Sequence, residues 1–375
     1  MPNHNNEAFT QAVLSWFKHH GRKDLPWQHN PTPYRVWVSE IMLQQTQVKT
    51  VIPYFQKFIK QLPSLSHLAK ASDDKVMALW SGLGYYSRAR NLHKAAQQLA
   101  DDAPPACEPK LPSDLEQLQA LPGIGRSTAG AVLTLSMNKK AAILDGNVKR
   151  VLARYFKVSG WPGKASVNKQ LWQLAEGLTP ELQFKDYTQA MMDLGATLCT
   201  RTKPNCSACP LVKQCLARQT DEQLNYPEKK KAAIKPVRHQ YFFLLTSADG
   251  MILMEKRPPV GIWGGLWTPP NFDINNDISD NENSLLASAY LEKNFGLKPS
   301  QSLGLPQQTI LQGFRHTFSH FHLQLHPIKI QFSDSEVIRE DNLQWQPINY
   351  WLEQGIPAAI RKMLKQISDD HTTEG

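Results

Sequence analysis

Four of the five cysteines in this 375-residue chain lie within one short stretch. Their spacing reads Cys199-x6-Cys206-x2-Cys209-x5-Cys215. Thiols this close together, in a chain that we expect to be intracellular, indicate a metal site rather than disulfides. Zinc sites usually use two short Cys-x2-Cys pairs, and only one pair here is short. Ligation by four thiolates also suits an iron–sulfur cluster.

A glycine-rich turn is the second chemical feature. The run Leu-Pro-Gly-Ile-Gly-Arg-Ser begins at Leu121 and follows a predicted helix, which Ser113 and Glu116 would open as a capping box. Gly123 and Gly125 permit backbone torsions that side chains would block. A second helix is predicted just after the turn, and backbone N–H groups at its start would form a phosphate site. The glycines alone would favour an ordinary helical hairpin.

Two carboxyl groups are candidates for acid and base chemistry. Glu40 lies among apolar residues, where burial would raise its pKa and suit it to general acid catalysis. From the pattern alone, a glutamate on the solvated face of a helix is the favoured interpretation. Asp145 precedes Gly146 and Asn147 and is a good helix N-cap, a position that fixes a carboxylate and keeps it ionised. Such a carboxylate could stabilise a sugar cation or orient a water.

A turn rich in glycine, tyrosine and arginine spans residues 82–90. Aromatic side chains such as Tyr85 can wedge into a base stack, and arginines such as Arg88 can meet phosphate. A helix–helix turn with core tyrosines explains the same residues equally well.

The charge of the chain is unevenly distributed. The net charge is +9, but residues 1–220 carry 27 Lys and Arg against 15 Asp and Glu, which leaves the remainder slightly acidic. A basic domain attracts polyanions such as DNA, although a merely soluble basic surface is also common. No apolar run is long enough to span a bilayer and the N-terminus lacks the regions of a signal peptide. We expect a cytoplasmic protein, nucleoid-associated if the source is bacterial, with no membrane contact.

The length and the patterning predict two domains. An all-α domain is predicted for residues 1–220, a polar, basic linker for 221–237, and an α+β domain for 238–375. The predicted helices cover about 7–19, 35–47, 48–62, 114–121, 166–178 and 181–198, with others starting near Ser72 and Ser127. In the second domain we predict strands at 240–245, 251–256, 318–325 and 328–332, helix 284–294 and a final helix.

These motifs resemble those of the helix-hairpin-helix DNA glycosylases, and in particular the adenine DNA glycosylases of the MutY type. Leu-Pro-Gly-x-Gly followed one helix later by Asp145, and Ser-Glu-Ile-Met-Leu-Gln-Gln-Thr-Gln-Val around Glu40, carry the resemblance. The cysteine spacing matches the [4Fe-4S] loop of the endonuclease III and MutY group. Residues 238–375 resemble a Nudix-like domain, but helix 284–294 lacks the paired carboxylates that a Nudix hydrolase uses to hold magnesium.

The resemblance implies roles for individual residues. Glu40 would protonate the departing adenine, Asp145 would stabilise the sugar cation, and Asn147 would assist it. The four cysteines would bind one [4Fe-4S] cluster per chain. Gln44 and Tyr85 would enter the base stack, Gln189 would face the adenine, and the 318–320 loop would contact 8-oxoguanine. The implied DNA and base contacts are Trp27, Gln44, Tyr85, Gly123, Gly125, Ser127, Gln189, Phe318, Ser319 and His320.

The implied function is removal of adenine mispaired with 8-oxoguanine, or with guanine, from double-stranded DNA by a monomeric enzyme. The adenine must leave the stack to expose its glycosidic bond. One alternative is an endonuclease III-like glycosylase with lyase activity, but that chemistry needs a lysine amine where this chain has Ser127. Another is a silent lesion-binding protein, which the presence of both Glu40 and Asp145 disfavours.

Overall fold

The computed structural model describes residues 3–230, 234–274, 286, 289–290, 292–293, 308–332 and 342–370. The chain divides into two compact units. The first comprises Met1–Lys70 and Asn91–Ala232, and the second comprises Ala71–Arg90 and Ala233–Gly375. Most of the helix predicted for 284–294 lies outside the described residues.

Helices account for the regular structure of the N-terminal part of the chain. They are α1 (Asn3–His20), α2 (Pro33–Leu43), α3 (Val48–Gln61), α4 (Leu65–Lys70), α5 (Asp73–Trp80), α6 (Ser87–Asp101), α7 (Leu115–Ala120), α8 (Arg126–Met137), α9 (Gly146–Tyr155), α10 (Ala165–Leu178), α11 (Phe184–Thr197) and α12 (Leu216–Gln219). None of the described helices combines the length and the apolar character that a bilayer crossing requires.

Helix α8 runs through the interior of the first unit, and its residues 128–135 are all buried. Small side chains make this placement feasible. A Cβ added at Gly130 would lie 2.5 Å from the carbonyl oxygen of Ala142, so the segment after α8 approaches its backbone directly. Glycine at position 130 is therefore needed for this close packing. On α1, Phe9 and Val13 are fully buried, as the amphipathic pattern predicts.

The predicted capping box at the start of α7 is wrong. Asp114 is the N-cap, and its carboxylate accepts hydrogen bonds from the backbone N–H groups of Glu116 (2.9 Å) and Gln117 (3.0 Å). The Ser113 hydroxyl instead accepts a hydrogen bond from Lys139 Nζ (2.9 Å), a partner distant in sequence. A carboxylate competes well for a helix N-terminus, because it also interacts with the helix dipole.

The second unit is built on a mixed sheet. Its described strands are β1 (Val237–Ser247), β2 (Met251–Lys256), β3 (Trp267–Thr268), β4 (Asn271–Ile274), β5 (Gln308–Ile310), β6 (Phe314–Thr317), β7 (His322–Phe332) and β8 (Leu343–Pro347). The central path runs β3-β2-β1-β7-β5, with β4 also on β1, β6 on β7 and β8 on β2. Strands β1 and β7 are parallel over their full length, and the other pairings are antiparallel.

Alternating side chains of β1 supply two cores, as a strand period of two requires. Phe242 and Leu244 pack with residues of α13 (Ile348–Glu353) and α14 (Ala358–Asp370). Phe243 and Leu245 pack on the opposite face.

One strand prediction needs correction. The residues predicted as strands 318–325 and 328–332 form a single strand, β7, which begins only at His322 and continues through Pro327. Pro327 has no N–H to donate, but its carbonyl oxygen still accepts a hydrogen bond from Leu311 N (3.0 Å).

Candidate active site

The glycine turn joins α7 to α8 as predicted, and its two glycines have different roles. Gly123 has a φ of +78°, and a Cβ there would lie 2.8 Å from Asn91 Cβ, so both conformation and space demand glycine. Gly125 has an ordinary φ of −85° and is the N-cap of α8, with open space where a Cβ would point. That space leaves the backbone N–H groups at the start of α8 approachable by an anion.

Ser127 fastens this turn to the segment that leads to Asp145. Its hydroxyl accepts a hydrogen bond from Leu144 N at 3.0 Å. The first turn of α8 and the backbone immediately before Asp145 are therefore held together.

Asp145 is the N-cap of α9. Its Oδ1 accepts hydrogen bonds from the backbone N–H groups of Asn147 (3.1 Å) and Val148 (2.8 Å), and its Oδ2 accepts one from Asn147 Nδ2 (3.1 Å). Burial raises the pKa of Asp145, whereas these hydrogen bonds act in the opposite direction. The cap thus limits the rise and fixes the direction in which the carboxylate points.

Glu40 lies on α2 among buried apolar residues and is itself partly buried. Burial and, to a smaller extent, the negative charge of Asp145 together raise the pKa of Glu40 to about 8. The expectation of a raised pKa for Glu40 is therefore confirmed. Because the charge of Asp145 contributes to this shift, the two carboxyl groups lie close enough to interact electrostatically. One turn after Glu40, Gln44 Nε2 donates to Thr128 Oγ1 at 3.4 Å, which links α2 to α8.

A single arginine positions Asn147. Arg150 Nη2 donates to Asn147 Oδ1 (2.8 Å) and to the carbonyl oxygen of Gly195 (2.6 Å), and Arg150 Nε donates to the carbonyl oxygen of Cys199 (2.6 Å). A Cβ at Gly195 would lie 2.5 Å from Asn147 Cβ, so α11 reaches the start of α9 only because this residue is glycine. Asn147 is held by the packing, by Arg150 and by Asp145.

The four clustered cysteines are free thiols that are partly buried in one loop. Burial, together with the charges of the other three thiols, raises the pKa of Cys209 to about 12, so the four thiols lie close enough to interact electrostatically. Arg154 Nη1 donates to Cys199 Sγ at 3.2 Å, and its guanidinium also binds the carbonyl oxygens of Thr200 and Tyr226. Among the described residues, no three His, Cys, Asp or Glu side chains converge on the position of a single ion.

A cavity of about 200 Å³ opens in the first unit. Its lining includes Trp27 and Gln189 together with Arg22, but neither Glu40 nor Asp145. Trp27 is only 5% exposed and meets Phe55 edge to face. A larger, more open cavity is lined by none of the predicted site residues.

A buried carboxylate organises the wall of that cavity. Asp193 is completely buried and accepts hydrogen bonds from Arg22 N (2.7 Å), Arg22 Nε (2.9 Å) and Gln189 Nε2 (2.9 Å). This arrangement fixes the amide of Gln189, so that Oε1 remains the acceptor that a ligand in the cavity could reach.

The predicted 8-oxoguanine contacts form the loop between β6 and β7 in the second unit. Phe318 N donates to the carbonyl oxygen of Phe321 (2.9 Å), and the two rings stack at 4.5 Å. Trp263 packs against Phe318 from another loop. The following residues, Ser319 and His320, are exposed, and Ser319 Oγ and His320 Nδ1 lie 3.1 Å apart. The loop therefore has an aromatic base and a polar tip.

Tyr85 also lies in the second unit, on the turn between α5 and α6. Its side chain is 50% exposed and its φ is +49°. The helix–helix turn expected from the sequence is present, but Tyr85 itself is not a core residue.

Comparisons with known proteins agree with this architecture. Residues 38–176 match the family model described as HhH-GPD superfamily base excision DNA repair protein, and residues 213–366 match a NUDIX domain. The adenine DNA glycosylase of Buchnera aphidicola subsp. Baizongia pistaciae is 37% identical over 368 residues, which cover 97% of this chain and 98% of that protein. The human adenine DNA glycosylase is 33% identical over 370 residues, which cover 84% of this chain and 65% of that protein. The chain belongs to the adenine DNA glycosylase family.

A solved structure supports the fold of the helical part. A thermostable thymine-DNA glycosylase aligns with a TM-score of 0.50 and 28% identity, over 57% of this chain and 97% of that one. The family resemblance drawn from the sequence is thus confirmed, as is the fold class of a helical helix-hairpin-helix domain followed by a Nudix-like domain. As an adenine DNA glycosylase family member, the chain is a DNA-acting enzyme of base excision repair.

Three arginines that support the predicted residues in this family member were not predicted from the sequence. Arg22 binds the carboxylate of Asp193, which holds Gln189. Arg150 binds the side-chain oxygen of Asn147, and Arg154 binds Cys199 Sγ. The spacing of Gln189 and Asp193, one helical turn apart, was a usable signal. Their arginine partners were not visible, because Arg22 is 171 residues from Asp193.

Proposed function

We propose that this protein hydrolytically removes adenine mispaired with 8-oxoguanine, or with guanine, from duplex DNA. The observation that carries the proposal is the pair Glu40 and Asp145. The carboxyl of Glu40 has a pKa of about 8, beside an N-capping carboxylate that accepts three hydrogen bonds. Two carboxyl groups in contrasting environments can take opposite roles in cleavage of a glycosidic bond.

Glu40 is the general acid in this proposal. With a pKa of about 8, its carboxyl carries a proton at neutral pH and can deliver it to the departing adenine, at N7. A protonated base is a better leaving group, because it departs neutral rather than as an anion.

Asp145 stabilises the positive charge that develops on the sugar as the bond to adenine breaks. Its three hydrogen bonds fix the carboxylate before the reaction, so little reorganisation is needed when the charge appears. Asn147 holds Oδ2 of this carboxylate, and Arg150 holds Asn147 in turn. Water completes the hydrolysis at the sugar carbon.

After it has left the base stack, adenine is bound against Gln189 at the wall of the cavity, with its glycosidic bond towards Glu40 and Asp145, which lie outside the cavity lining. Gln189 donates to Asp193 and presents Oε1 to the exocyclic amine of the base. Arg22, fixed by the same aspartate, adds donors at the cavity wall. Gln189 and Arg22 thus recognise adenine through the hydrogen-bonding edge of the base.

The opposite base is read by the 318–320 loop. Ser319 and His320 are exposed and can donate to or accept from the edge of 8-oxoguanine. Phe318 packs into the domain and fixes the tip of the loop.

Two residues enter the base stack beside the mispair. Tyr85, half exposed, does so from its turn, and Gln44 does so from the end of α2. The phosphate-binding turn at the start of α8 is formed by Gly123, Gly125 and Ser127.

The loop of four cysteines is the site of one [4Fe-4S] cluster. Four neighbouring thiols with only one short Cys-x2-Cys pair fit a multi-iron group better than a lone zinc. Cys199, Cys206, Cys209 and Cys215 would hold the cluster, which supplies a rigid crosslink within the loop. Purified protein should be brown and contain about four irons per chain, whereas zinc without iron would overturn the assignment.

The decisive experiment uses a duplex with adenine opposite 8-oxoguanine, assayed with and without hot alkali. Strand cleavage only after alkali means base removal by a monofunctional enzyme. Cleavage without alkali would indicate a lyase, which the hydroxyl of Ser127 cannot provide because Schiff-base chemistry needs an amine. Tight binding without product would favour a silent lesion-binding protein. Sedimentation of the complex would test the proposed single copy of the chain per duplex.

A further inference from the structure

The turn that carries Tyr85 is held in a conformation that it would not adopt unaided. Tyr85 has a φ of +49°, a left-handed conformation that is uncommon for residues other than glycine. Gly82 (φ +102°) and Gly84 (φ +71°) provide the torsions around it. A residue other than glycine keeps a left-handed backbone conformation only where surrounding contacts stabilise that conformation.

Part of this support comes from within the turn. The guanidinium of Arg88 lies 5.5 Å from the ring centres of both Tyr85 and Trp80, and Arg88 Nη2 donates to the carbonyl oxygen of Gly84 at 3.1 Å. Trp80 Nε1 donates to the same carbonyl at 3.3 Å. These contacts lie within the turn and the helix ends that flank it.

One backbone carbonyl of the C-terminal domain also holds the turn. The carbonyl oxygen of Ile356, between α13 and α14, accepts hydrogen bonds from Ser81 Oγ (3.1 Å) and from Tyr86 OH (3.3 Å). The same Tyr86 hydroxyl accepts a hydrogen bond from Gly82 N at 3.3 Å. Arg361 Nη2 on α14 donates to Ser81 Oγ at 3.1 Å. The residues on both sides of Tyr85 are thus tied to the same oxygen.

Further contacts fasten the flanking helices within the same unit. Asp74 on α5 accepts hydrogen bonds from Trp267 Nε1 (3.2 Å) and Lys256 Nζ (2.9 Å). Arg90 on α6 donates to the carbonyl oxygen of Gly264 at 2.6 Å. The segment from Ala71 to Arg90 therefore belongs structurally with the sheet of the C-terminal domain, although it lies far from it in sequence.

We propose that Tyr86 is a positioning residue for Tyr85, and that it ties the base-stack wedge to the domain that reads the opposite base through the carbonyl of Ile356. The inference rests on the role proposed above for Tyr85. Without the Tyr86 hydroxyl, the turn keeps its internal contacts but loses the link between Gly82 N and Ile356. The left-handed conformation of Tyr85 is then less populated, and the wedge is presented less often.

The test uses the full-length protein and a duplex with 2′-fluoro-2′-deoxyadenosine opposite 8-oxoguanine, from which the base is not released. Tyr86→Phe should weaken binding about fivefold, the factor expected for one net hydrogen bond. Tyr350→Phe is the matched control, because Tyr350 is an exposed tyrosine of the same unit. Ser81→Ala removes the other bond to Ile356 and should weaken binding similarly. Single-turnover excision at saturating enzyme should change less than the Kd.

A spectroscopic readout separates positioning from general damage. With 2-aminopurine next to 8-oxoguanine, insertion of Tyr85 disturbs stacking and raises fluorescence, and Tyr86→Phe should reduce that rise while the Tm stays unchanged. If Tyr86→Phe binds like Tyr350→Phe while Tyr85→Ala binds weakly, the inference is wrong and the proposed role of Tyr85 stands. If Tyr85→Ala binds as well as the parent protein, the role of Tyr85 fails and the inference fails with it.

Discussion

The raised pKa of Glu40 makes a quantitative prediction about the pH dependence of base excision. With a pKa of about 8, about nine-tenths of Glu40 carries a proton at pH 7. A carboxyl at the ordinary value of 4.5 would be protonated in only about 0.3% of molecules at that pH. The environment of Glu40 therefore increases the population of the acid form about 300-fold at pH 7.

The consequence is a loss of rate on the alkaline side. As the pH rises through about 8, Glu40 loses its proton, and excision should be about tenfold slower at pH 9 than at pH 7. On the acid side, the rate should fall as Asp145 is protonated, at a pH above its ordinary value of 3.8 because burial raises its pKa. The two apparent pKa values of this profile belong to the coupled pair of Glu40 and Asp145 and not to either residue alone.

Single-turnover excision from pH 5 to pH 10, with each reaction quenched and then treated with hot alkali, measures this profile. Asn147→Ala provides a directional check. The hydrogen bond from Asn147 Nδ2 to Asp145 Oδ2 lowers the pKa of Asp145. The substitution removes this bond, so the pKa of Asp145 should rise and the acid limb of the profile should move to higher pH. An alkaline limb that stays flat to pH 9 would refute the assignment of Glu40 as the acid.

The same pKa has a consequence for stability. Because the pKa of Glu40 is higher in the folded than in the unfolded protein, the folded state loses stability as the pH rises from about 4.5 to about 8. Glu40→Gln cannot ionise and should therefore raise the Tm at pH 8 by a few degrees relative to the parent protein. The difference should vanish towards pH 4, and a difference independent of pH would show that another effect is responsible.

Three further predictions concern other parts of the site. Asp145→Asn should abolish base release while lesion binding persists, and parent-like excision in this variant would defeat the assignment. Ser319→Ala combined with His320→Ala should reduce the preference for 8-oxoguanine over guanine, measured as the ratio of single-turnover rates on the two duplexes; an unchanged ratio would remove the loop from recognition. Gly195→Ala places a Cβ 2.5 Å from Asn147 Cβ and should cost about 1–3 kcal/mol and most of the activity. Gly177→Ala, on α10 with its nearest neighbour at 3.7 Å, is the control and should be neutral or slightly stabilising.

Sequence reasoning succeeded where a pattern is local. The helix start at Ser72, the glycine turn before α8 and the hairpin from β1 to β2 follow from capping and turn chemistry within a few residues. It failed where a distant side chain decided the outcome. Ser113 has the right offset for a capping box, yet Lys139 takes its hydroxyl and Asp114 caps the helix instead.

The candidate site shows the same division. Glu40 and Asp145 were identifiable because their flanking sequences match a family motif, whereas spacing alone favoured a solvated glutamate. The contacts that orient them were beyond sequence reasoning. Arg22 reaches Asp193, and Arg150 reaches Gly195 and Cys199, across separations that only the folded chain closes. Periodicity along one helix carries no information about such partners.

Arg150 connects the cysteine loop physically to Asp145, the proposed site of the reaction. Its guanidinium binds the side-chain oxygen of Asn147 and the backbone oxygen of Cys199 at the same time. Asn147 in turn donates to Asp145, so two hydrogen-bonding residues separate a proposed cluster ligand from the proposed catalytic carboxylate. A shift of the backbone at Cys199 would displace Arg150. Asn147 would then lose its hydrogen bond to Asp145 or the hydrogen bond that it accepts from Arg150. Removing iron should for this reason slow excision even in protein that remains folded, and loss of the metal should resemble Asn147→Ala more closely than it resembles a change in the DNA-binding turn.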